Sequence, residues 1–243
     1  MIIVNADDWG RSAEDTDAAL TCYQQGRITS VSAMVFMADS ERAAELSLDR
    51  GIPTGLHVNL SQPFSADVRD DQLRVYHARI VRFLNCSRYA QLLYNPFLRE
   101  PLRYVFDAQA AEFVRLYRKP PSHFDGHQHM HLCANMLRSA PIARGQKVRR
   151  NFSFQPKEKG LVNRGYRALV DRWLVSRYRV TDYFFALPQQ LQEDRFARIC
   201  RLATKANVEL MTHPAVPREQ AFLKSERYAE ALRGIPKGSY LEL

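Results

Sequence analysis

The chain has 243 residues and a net charge of +9, with 46% hydrophobic and 25% charged residues, a balance that excludes disordered and fibrous proteins. No apolar stretch approaches the roughly 20 residues of a membrane-spanning helix, and the short apolar run at the N-terminus does not predict a signal peptide. The four cysteines are far apart and form no Cys-x-x-Cys pair, so we expect a cytoplasmic protein without a zinc ribbon or a disulfide scaffold.

The first part of the chain alternates between apolar β-branched runs and segments with helical periodicity. We predict strands over residues 2–4, 29–37 and 55–60, and helices over residues 12–25 and 40–48. Strands that alternate with helices at this spacing favour a parallel α/β sheet.

The rest of the chain is less regular up to residue 122, with one predicted helix at residues 109–117. Further strands are predicted over residues 122–128, 148–154, 182–187 and 208–212, and helices over residues 191–205 and around the arginines between 164 and 179. There is no internal repeat or linker. This order favours a single domain over residues 1–243, with a barrel-like or an open α/β architecture.

The charge is unevenly distributed along the chain. Residues 1–66 contain 4 basic and 9 acidic residues, whereas residues 138–180 contain 12 basic and 2 acidic ones. We expect the basic segment to lie away from the metal motifs, and the arginines between 164 and 179 to form the solvated face of an amphipathic helix or to cover its apolar neighbours. The alternative is a docking surface for an anionic glycan, a lipid headgroup or a partner.

Four short segments carry the side chains that suit catalysis. They are Asp7-Asp8, His57, the run at residues 123–131 and His213, and they include six of the 7 histidines. Each lies at or just after a predicted strand, where parallel α/β folds build their sites, so we predict one site from four distant segments. Taken singly, the aspartates also fit a helix N-cap, and each lone histidine fits an ordinary core or strand-end residue.

The histidine-rich run brings imidazoles together in either backbone conformation. An extended chain places His127, His129 and His131 on one face, and a helix places His127 beside His131. No glutamate separates them, which disfavours the zinc-protease helix. Carboxylate oxygen plus imidazole nitrogen suits Zn²⁺ or another divalent transition metal, and Mg²⁺ less well. Such a site supports hydrolysis by a metal-activated water, with a carboxylate as base and a histidine as acid.

These segments resemble the motifs of the YdjC/ChbG-like carbohydrate deacetylases, a family that includes chitooligosaccharide deacetylases. The matching stretches are NADDWG at residues 5–10, GLHVNL at residues 55–60, HFDGHQHMH at residues 123–131 and ELMTHP at residues 209–214. They occur in the family's order across nearly the whole chain. The resemblance implies a distorted, TIM-barrel-like (β/α) barrel and a metal-dependent hydrolase that removes an N-acetyl group from a sugar.

The resemblance also implies roles for individual residues. Asp8, His57 and His127 would bind one divalent metal ion, Zn²⁺ or Mg²⁺, and Asp7 would be the general base. His213 matches a histidine near the family's site, and we expect it to act as the acid or to stabilise an oxyanion.

Other motif residues would contact the substrate or support the metal ligands. Asp125 would orient a liganding imidazole through its other ring nitrogen. Trp9 stands where the family usually has phenylalanine, and it could stack on a sugar ring. The remaining residues with such a role are His123, His129 and His131.

The basic excess keeps two other classes of protein open. A metal-dependent phosphoesterase or nuclease would use the same ligand types on an anionic substrate. A nucleic-acid-binding protein with a structural metal would need a recognisable RNA-binding motif or helix-turn-helix, and neither is found, so no nucleic-acid partner is expected. We favour an N-acetylated amino sugar, oligosaccharide or glycolipid as substrate, with anionic ones as a testable preference. A homodimer is compatible with the resemblance.

Overall fold

The computed structural model describes residues 1–154 and 160–243. Its strands are β1 (Ile2–Trp9), β2 (Ser30–Ala33), β3 (Thr54–Val58), β4 (Phe124–Gly126), β5 (Tyr183–Ala186), β6 (Val208–Thr212) and β7 (Lys237–Gly238). Its α-helices are α1 (Ala13–Gln24), α2 (Ser40–Arg50), α3 (Asp71–Leu84), α4 (Arg99–Tyr117), α5 (Ala134–Ser139), α6 (Leu161–Val175), α7 (Glu193–Ala203), α8 (Pro217–Lys224) and α9 (Glu226–Ala231).

Parallel pairing organises the strands. β1 pairs with β6, from Ile2 opposite Val208 to Ala6 opposite Thr212, and β6 also pairs with β5, while β3 pairs with β4. The order along the sheet is β4-β3-β2-β1-β6-β5, and β7 pairs with β1. Every position of β1, β3 and β6 is buried, as expected for strands covered on both faces. The predicted parallel α/β class is confirmed.

The chain divides into two compact units. The first contains Met1–Asp7, Asp17–Val31 and Arg144–Leu243, and the second contains Asp8–Thr16 and Ser32–Ala143. In the first unit, β5 and β6 supply a buried apolar cluster against which Phe152 packs. In the second unit, α4 packs against α3, α2 and β3. Within the described ranges, no helix has both the length and the apolar character required to cross a membrane.

Some predicted elements differ from the observed ones. The strand predicted at residues 148–154 was wrong, because no regular strand forms over these described residues. Backbone N–H groups of Val148 and Ser153 donate to the carbonyls of Arg179 and Phe184, and Lys147 forms an isolated bridge with Arg179. The segment carries Arg149, whose side chain turns inward to bind carboxylates. Of the basic segment 138–180, residues 155–159 lie outside the described residues.

The region between residues 61 and 122 is more helical than predicted. α3 begins after Asp70, whose side chain accepts a hydrogen bond of 3.0 Å from the Leu73 backbone N–H. Its buried stripe includes His77 among leucine and isoleucine side chains, so the apolar periodicity is interrupted by a polar residue. α4 begins ten residues earlier than predicted. The proline at position 101 does not prevent this, because it falls in the first turn of the helix, where proline is tolerated.

His77 is a neutral core residue rather than a member of the predicted site. Its ring stacks on Phe64 with centroids 3.6 Å apart, and its Nε2 donates to the Asn59 carbonyl at 3.1 Å. Gln109 Nε2 donates to the same carbonyl at 2.9 Å. Burial lowers the pKa of His77 from 6.5 to about 4, although the bond to Asn59 opposes that shift.

We predict that His77 makes the protein less stable as the pH falls from 6.5 toward 4. In this window the unfolded chain binds a proton that the folded chain does not, which removes up to about 3 kcal/mol of unfolding free energy. His77→Phe keeps a ring on Phe64, leaves Gln109 to satisfy the Asn59 carbonyl, and abolishes this titration. Urea unfolding between pH 7 and pH 4 should show the variant losing less stability than the wild type. Parallel stability curves would contradict the assignment.

Candidate functional site

The pairing of β3 with β4 places His57 beside Asp125 in the second unit. The two residues are opposite each other in the register of the parallel strands. His57 Nδ1 lies 2.8 Å from Asp125 Oδ1, and both side chains are buried. The hydrogen bond fixes the imidazole ring and leaves Nε2 as the nitrogen that can bind a cation.

Asp125 is held by a second set of contacts behind the imidazole. Ser32 on β2 donates its hydroxyl to Asp125 Oδ2 at 2.7 Å and lies 3.0 Å from His123 Nε2. His123 is completely buried, and a Cβ on Gly55 would fall 2.3 Å from its ring, so a side chain at position 55 would displace it. His123 therefore supports Asp125 through Ser32.

Asp8 completes the cluster from β1. Its backbone adopts the left-handed region, with φ of 66°, and its Oδ1 lies 2.8 Å from His127 Nδ1 and 3.5 Å from His57 Nε2. Its Oδ2 accepts a hydrogen bond of 2.7 Å from Arg11, which also binds Asp15. Burial alone would raise the pKa of Asp8, but the hydrogen bonds with His127 and His57 outweigh it and hold that pKa well below its ordinary range.

The histidine-rich run adopts neither of the two conformations predicted for it. His127–Leu132 is a 3-10 turn interrupted at Gln128 and His129, which have φ of 52° and 59°. Two successive residues with left-handed backbone conformation interrupt the regular spacing of side chains in both a strand and a helix. His127, His129 and His131 therefore do not lie on one face. His131 packs closely on Gly126, where a Cβ would lie 2.7 Å from the His131 backbone nitrogen.

Asp8, His57 and His127 form a set that fits a metal ion. One ligand atom from each can be chosen so that all lie within 4.8 Å of one another, and all three residues are buried. One carboxylate and two imidazoles are donors that suit Zn²⁺ and related divalent ions. The Asp125 carboxylate lies behind His57, and Arg11 is shared between Asp8 and Asp15, so the cluster carries carboxylate charge that a cation would offset.

Trp9 is not placed to stack on a sugar, so that prediction was wrong. The side chain has no exposed surface, and its indole N–H donates to the Ala43 carbonyl at 3.0 Å. Trp9 fills the space between β1 and α2 as a core residue with a satisfied polar group.

In the first unit, Asp7 belongs to a buried ionic network. Arg149 donates two hydrogen bonds to the Asp7 carboxylate, at 2.7 and 2.6 Å, and a third to Glu209 at 2.8 Å. Tyr240 donates its hydroxyl to the other oxygen of Glu209, and Asn5 donates to Asp7 at 3.0 Å. The bidentate geometry holds both oxygens of Asp7 in one orientation.

His213 follows β6 in the same unit and is oriented by a carboxylate. Glu219 on α8 is buried and accepts bonds of 2.9 Å from the His213 backbone N–H and from the Thr212 hydroxyl. The His213 Nδ1 lies 3.5 Å from the other oxygen of Glu219. The imidazole itself is half-buried.

Sequence reasoning missed the partners of Asp7. Arg149 lies in the basic segment, which was expected to stay away from the motifs, so that expectation was wrong at this residue. A signal for the missed partner was present in β6, where Glu209 sits within an otherwise buried strand and needs a cation. Tyr240 carries no such signal, because a tyrosine near the C-terminus fits many environments.

The chain belongs to the YdjC-like protein family, since the family's model matches residues 1–236. A mouse (Mus musculus) protein named carbohydrate deacetylase is 27% identical over 89% of this chain and 78% of its own length. A human (Homo sapiens) protein of the same name is 28% identical over 89% of this chain and 75% of its own length. A protein from Enterobacter sp. strain 638, named chitooligosaccharide deacetylase, is 24% identical over 100% of this chain and 99% of its own length.

One solved structure shows the same fold across the whole chain. It is a crystal structure from Enterococcus faecalis V583, of a protein with a suggested role in cellobiose-phosphate cleavage. It aligns with a TM-score of 0.67 and 17% identity, covering 99% of this chain and 97% of its own. At this identity the likeness concerns the fold, and it agrees with the fold class expected from the motifs.

We predict that Arg149→Met destabilises the protein by about 3–5 kcal/mol, because Asp7 and Glu209 would remain buried without their cation. Arg150→Met is the matched control, since this partly exposed neighbour pairs with Asp171 at 3.3 Å and should cost at most about 1 kcal/mol. Urea unfolding measures both. Equal losses of unfolding free energy in the two variants would show that the buried network contributes no more to stability than the partly exposed pair.

Proposed function

We propose that this protein is a metal-dependent carbohydrate N-deacetylase, which hydrolyses the N-acetyl group of an amino sugar, an oligosaccharide or a glycolipid. The convergence of Asp8, His57 and His127 carries the proposal, because these buried side chains offer one carboxylate and two imidazoles that fit a metal ion. The deacetylase names of relatives that span most of this chain support the choice of reaction.

Three residues would hold the metal, with Zn²⁺ favoured over Mg²⁺ because two of the donors are imidazoles. When bound, the ion would polarise the acetyl carbonyl and lower the pKa of a coordinated water. Asp125 would keep His57 in the orientation that presents Nε2, and Ser32 and His123 would hold Asp125 in turn. Arg11 would restrain the second oxygen of Asp8.

Asp7 is proposed as the general base, and the bidentate ion pair with Arg149 holds its carboxylate in one orientation. Because the direction of the oxygens is fixed, little reorganisation is needed when the proton moves.

His213 is proposed as the general acid, or as a group that stabilises the oxyanion. Glu219 lies 3.5 Å from the His213 Nδ1 and would orient the imidazole for proton donation to the leaving nitrogen. His129 and His131 remain proposed substrate or supporting residues.

We expect the purified protein to release acetate from one or more members of a panel of N-acetylated oligosaccharides, and a chelator to abolish the release. Asp8→Asn and His57→Gln should each lower the metal content from about one ion per chain and reduce the rate by at least about a hundredfold. Glu112→Gln, a change at a partly exposed residue of α4 outside the proposed site, is the control. Full activity in metal-free protein would contradict the mechanism, and phosphodiester cleavage without acetate release would favour a phosphoesterase.

Asp125→Asn should weaken metal binding by about 10–100-fold while leaving all three proposed ligands in place. The amide is uncharged, so it supports the His57 imidazole less strongly than the carboxylate does. Competition with a chromophoric chelator measures the affinity without reference to activity. An unchanged affinity would show that Asp125 does not act through His57.

A further inference from the structure

Between α3 and α4 the chain presents a cluster of exposed apolar side chains, which we call the apolar tip. Its most exposed members are Phe97 and Leu93, with 76% and 60% of their surface accessible. The full set is Tyr89, Leu92, Leu93, Tyr94 and Phe97. Large apolar side chains gathered at one exposed place mark an interaction surface rather than a scatter of ordinary surface residues.

The backbone of the apolar tip is anchored. Ala90 and Leu98 are buried on either side of it, within the 3-10 turns Ala90–Leu92 and Pro96–Leu98. Asn95 is held by Asn135 through two hydrogen bonds, of 3.0 and 2.7 Å. The exposed side chains therefore project from a structured base, which lowers the entropy lost when they are buried by a partner.

Arginines flank the apolar tip along the sequence. Residues 74–103 contain six arginines and one acidic residue, which gives this segment a net charge of +5, and one of the six, Arg74, pairs with Asp71 just before the segment. All six arginines are exposed, and Arg88 lies over the Tyr89 ring at 4.7 Å. The arginines are Arg74, Arg79, Arg82, Arg88, Arg99 and Arg103.

A groove of about 720 Å³ opens beside the tip, and Phe97 forms part of its wall. Three of the arginines line it, namely Arg79, Arg99 and Arg103, together with Tyr76 and Tyr104. The groove also contains two acids, but each has a partner. Glu100 accepts a bond of 3.2 Å from the Tyr76 hydroxyl, and Asp107 pairs with Arg103 at 3.8 Å.

We propose that the apolar tip and its arginines dock the protein on the surface of an anionic phospholipid bilayer. The leucine and aromatic side chains would enter the boundary between headgroups and acyl chains, and the arginines would contact lipid phosphates, with the groove accepting one headgroup. A second copy of the chain fits less well, because symmetric docking would bring two segments of charge +5 together. This proposal does not depend on the proposed deacetylation.

Vesicle co-sedimentation of the full chain tests the proposal. Vesicles of phosphatidylcholine alone are compared with vesicles that also contain phosphatidylglycerol, at low and high salt. The tip variant is Leu92→Ser/Leu93→Ser/Phe97→Ser, and the charge variant is Arg79→Gln/Arg99→Gln/Arg103→Gln. The matched control is Leu169→Ser/Val175→Ser on the arginine-rich helix α6, where exposure is 68% and 56%.

We expect binding only to the anionic vesicles, weakening as salt rises, because exposed charges are screened. The tip and charge variants should each lose about tenfold or more in affinity, whereas the α6 control should bind like the wild type. Circular dichroism and thermal unfolding check that all variants fold, which their exposed positions favour. Acetate release from a soluble oligosaccharide should be the same in the tip and charge variants as in the wild type. A failure of membrane docking can therefore be distinguished from a failure of the proposed deacetylation.

Three outcomes would overturn the proposal. The first is the absence of binding to either kind of vesicle. The second is a loss of binding in the α6 control with none in the tip variant, which would move docking to the other arginine-rich face. The third is a change in the tip variant from dimer to monomer by sedimentation velocity without any vesicle binding, which would make the tip a contact between copies.

Discussion

Two adjacent carboxylates are buried near the end of β1, and much of the chemistry in this protein follows from how each is neutralised. A buried carboxylate needs a cation or several hydrogen bonds, and Asp7 and Asp8 meet this need differently. Asp7 takes a bidentate arginine in the first unit. Asp8 takes two imidazoles and Arg11 in the second unit. The two aspartates therefore have different environments: a fixed guanidinium binds Asp7, whereas Asp8 belongs to a set of side chains that fits a metal ion.

The surrounding residues act mainly by restricting these polar groups. Asp125, Ser32 and His123 form a chain of contacts behind His57, and Glu219 does the same for His213. None of these contacts adds much stability by itself, because each exchanges hydrogen bonds with water for hydrogen bonds within the protein. Their effect is to remove alternative side-chain orientations, which is the condition for a site that changes little when it binds a cation.

Sequence alone could predict the strands that carry the site, because β1, β3 and β6 are buried and their apolar runs are unambiguous. It could also predict that Asp8, His57 and His127 lie together, since each lies at or just after the end of a strand in a parallel sheet. The conformation of residues 127–132 was out of reach, because two left-handed residues leave no periodic trace. Arg149 was missed for a different reason: a single buried arginine in a basic segment looks the same as its exposed neighbours until tertiary contacts select it.

The pairing of His57 with Asp125 has a consequence for folding. The two side chains meet because β3 and β4 align residue 57 with residue 125, and successive residues of a strand point to opposite faces. A shift of one residue between these strands would preserve backbone hydrogen bonding but turn Asp125 away from the imidazole. A misaligned sheet would thus lack the support for the proposed ligand His57. Metal affinity is accordingly a sensitive reporter of correct strand alignment, and a bound ion would stabilise only those molecules in which this alignment has been reached.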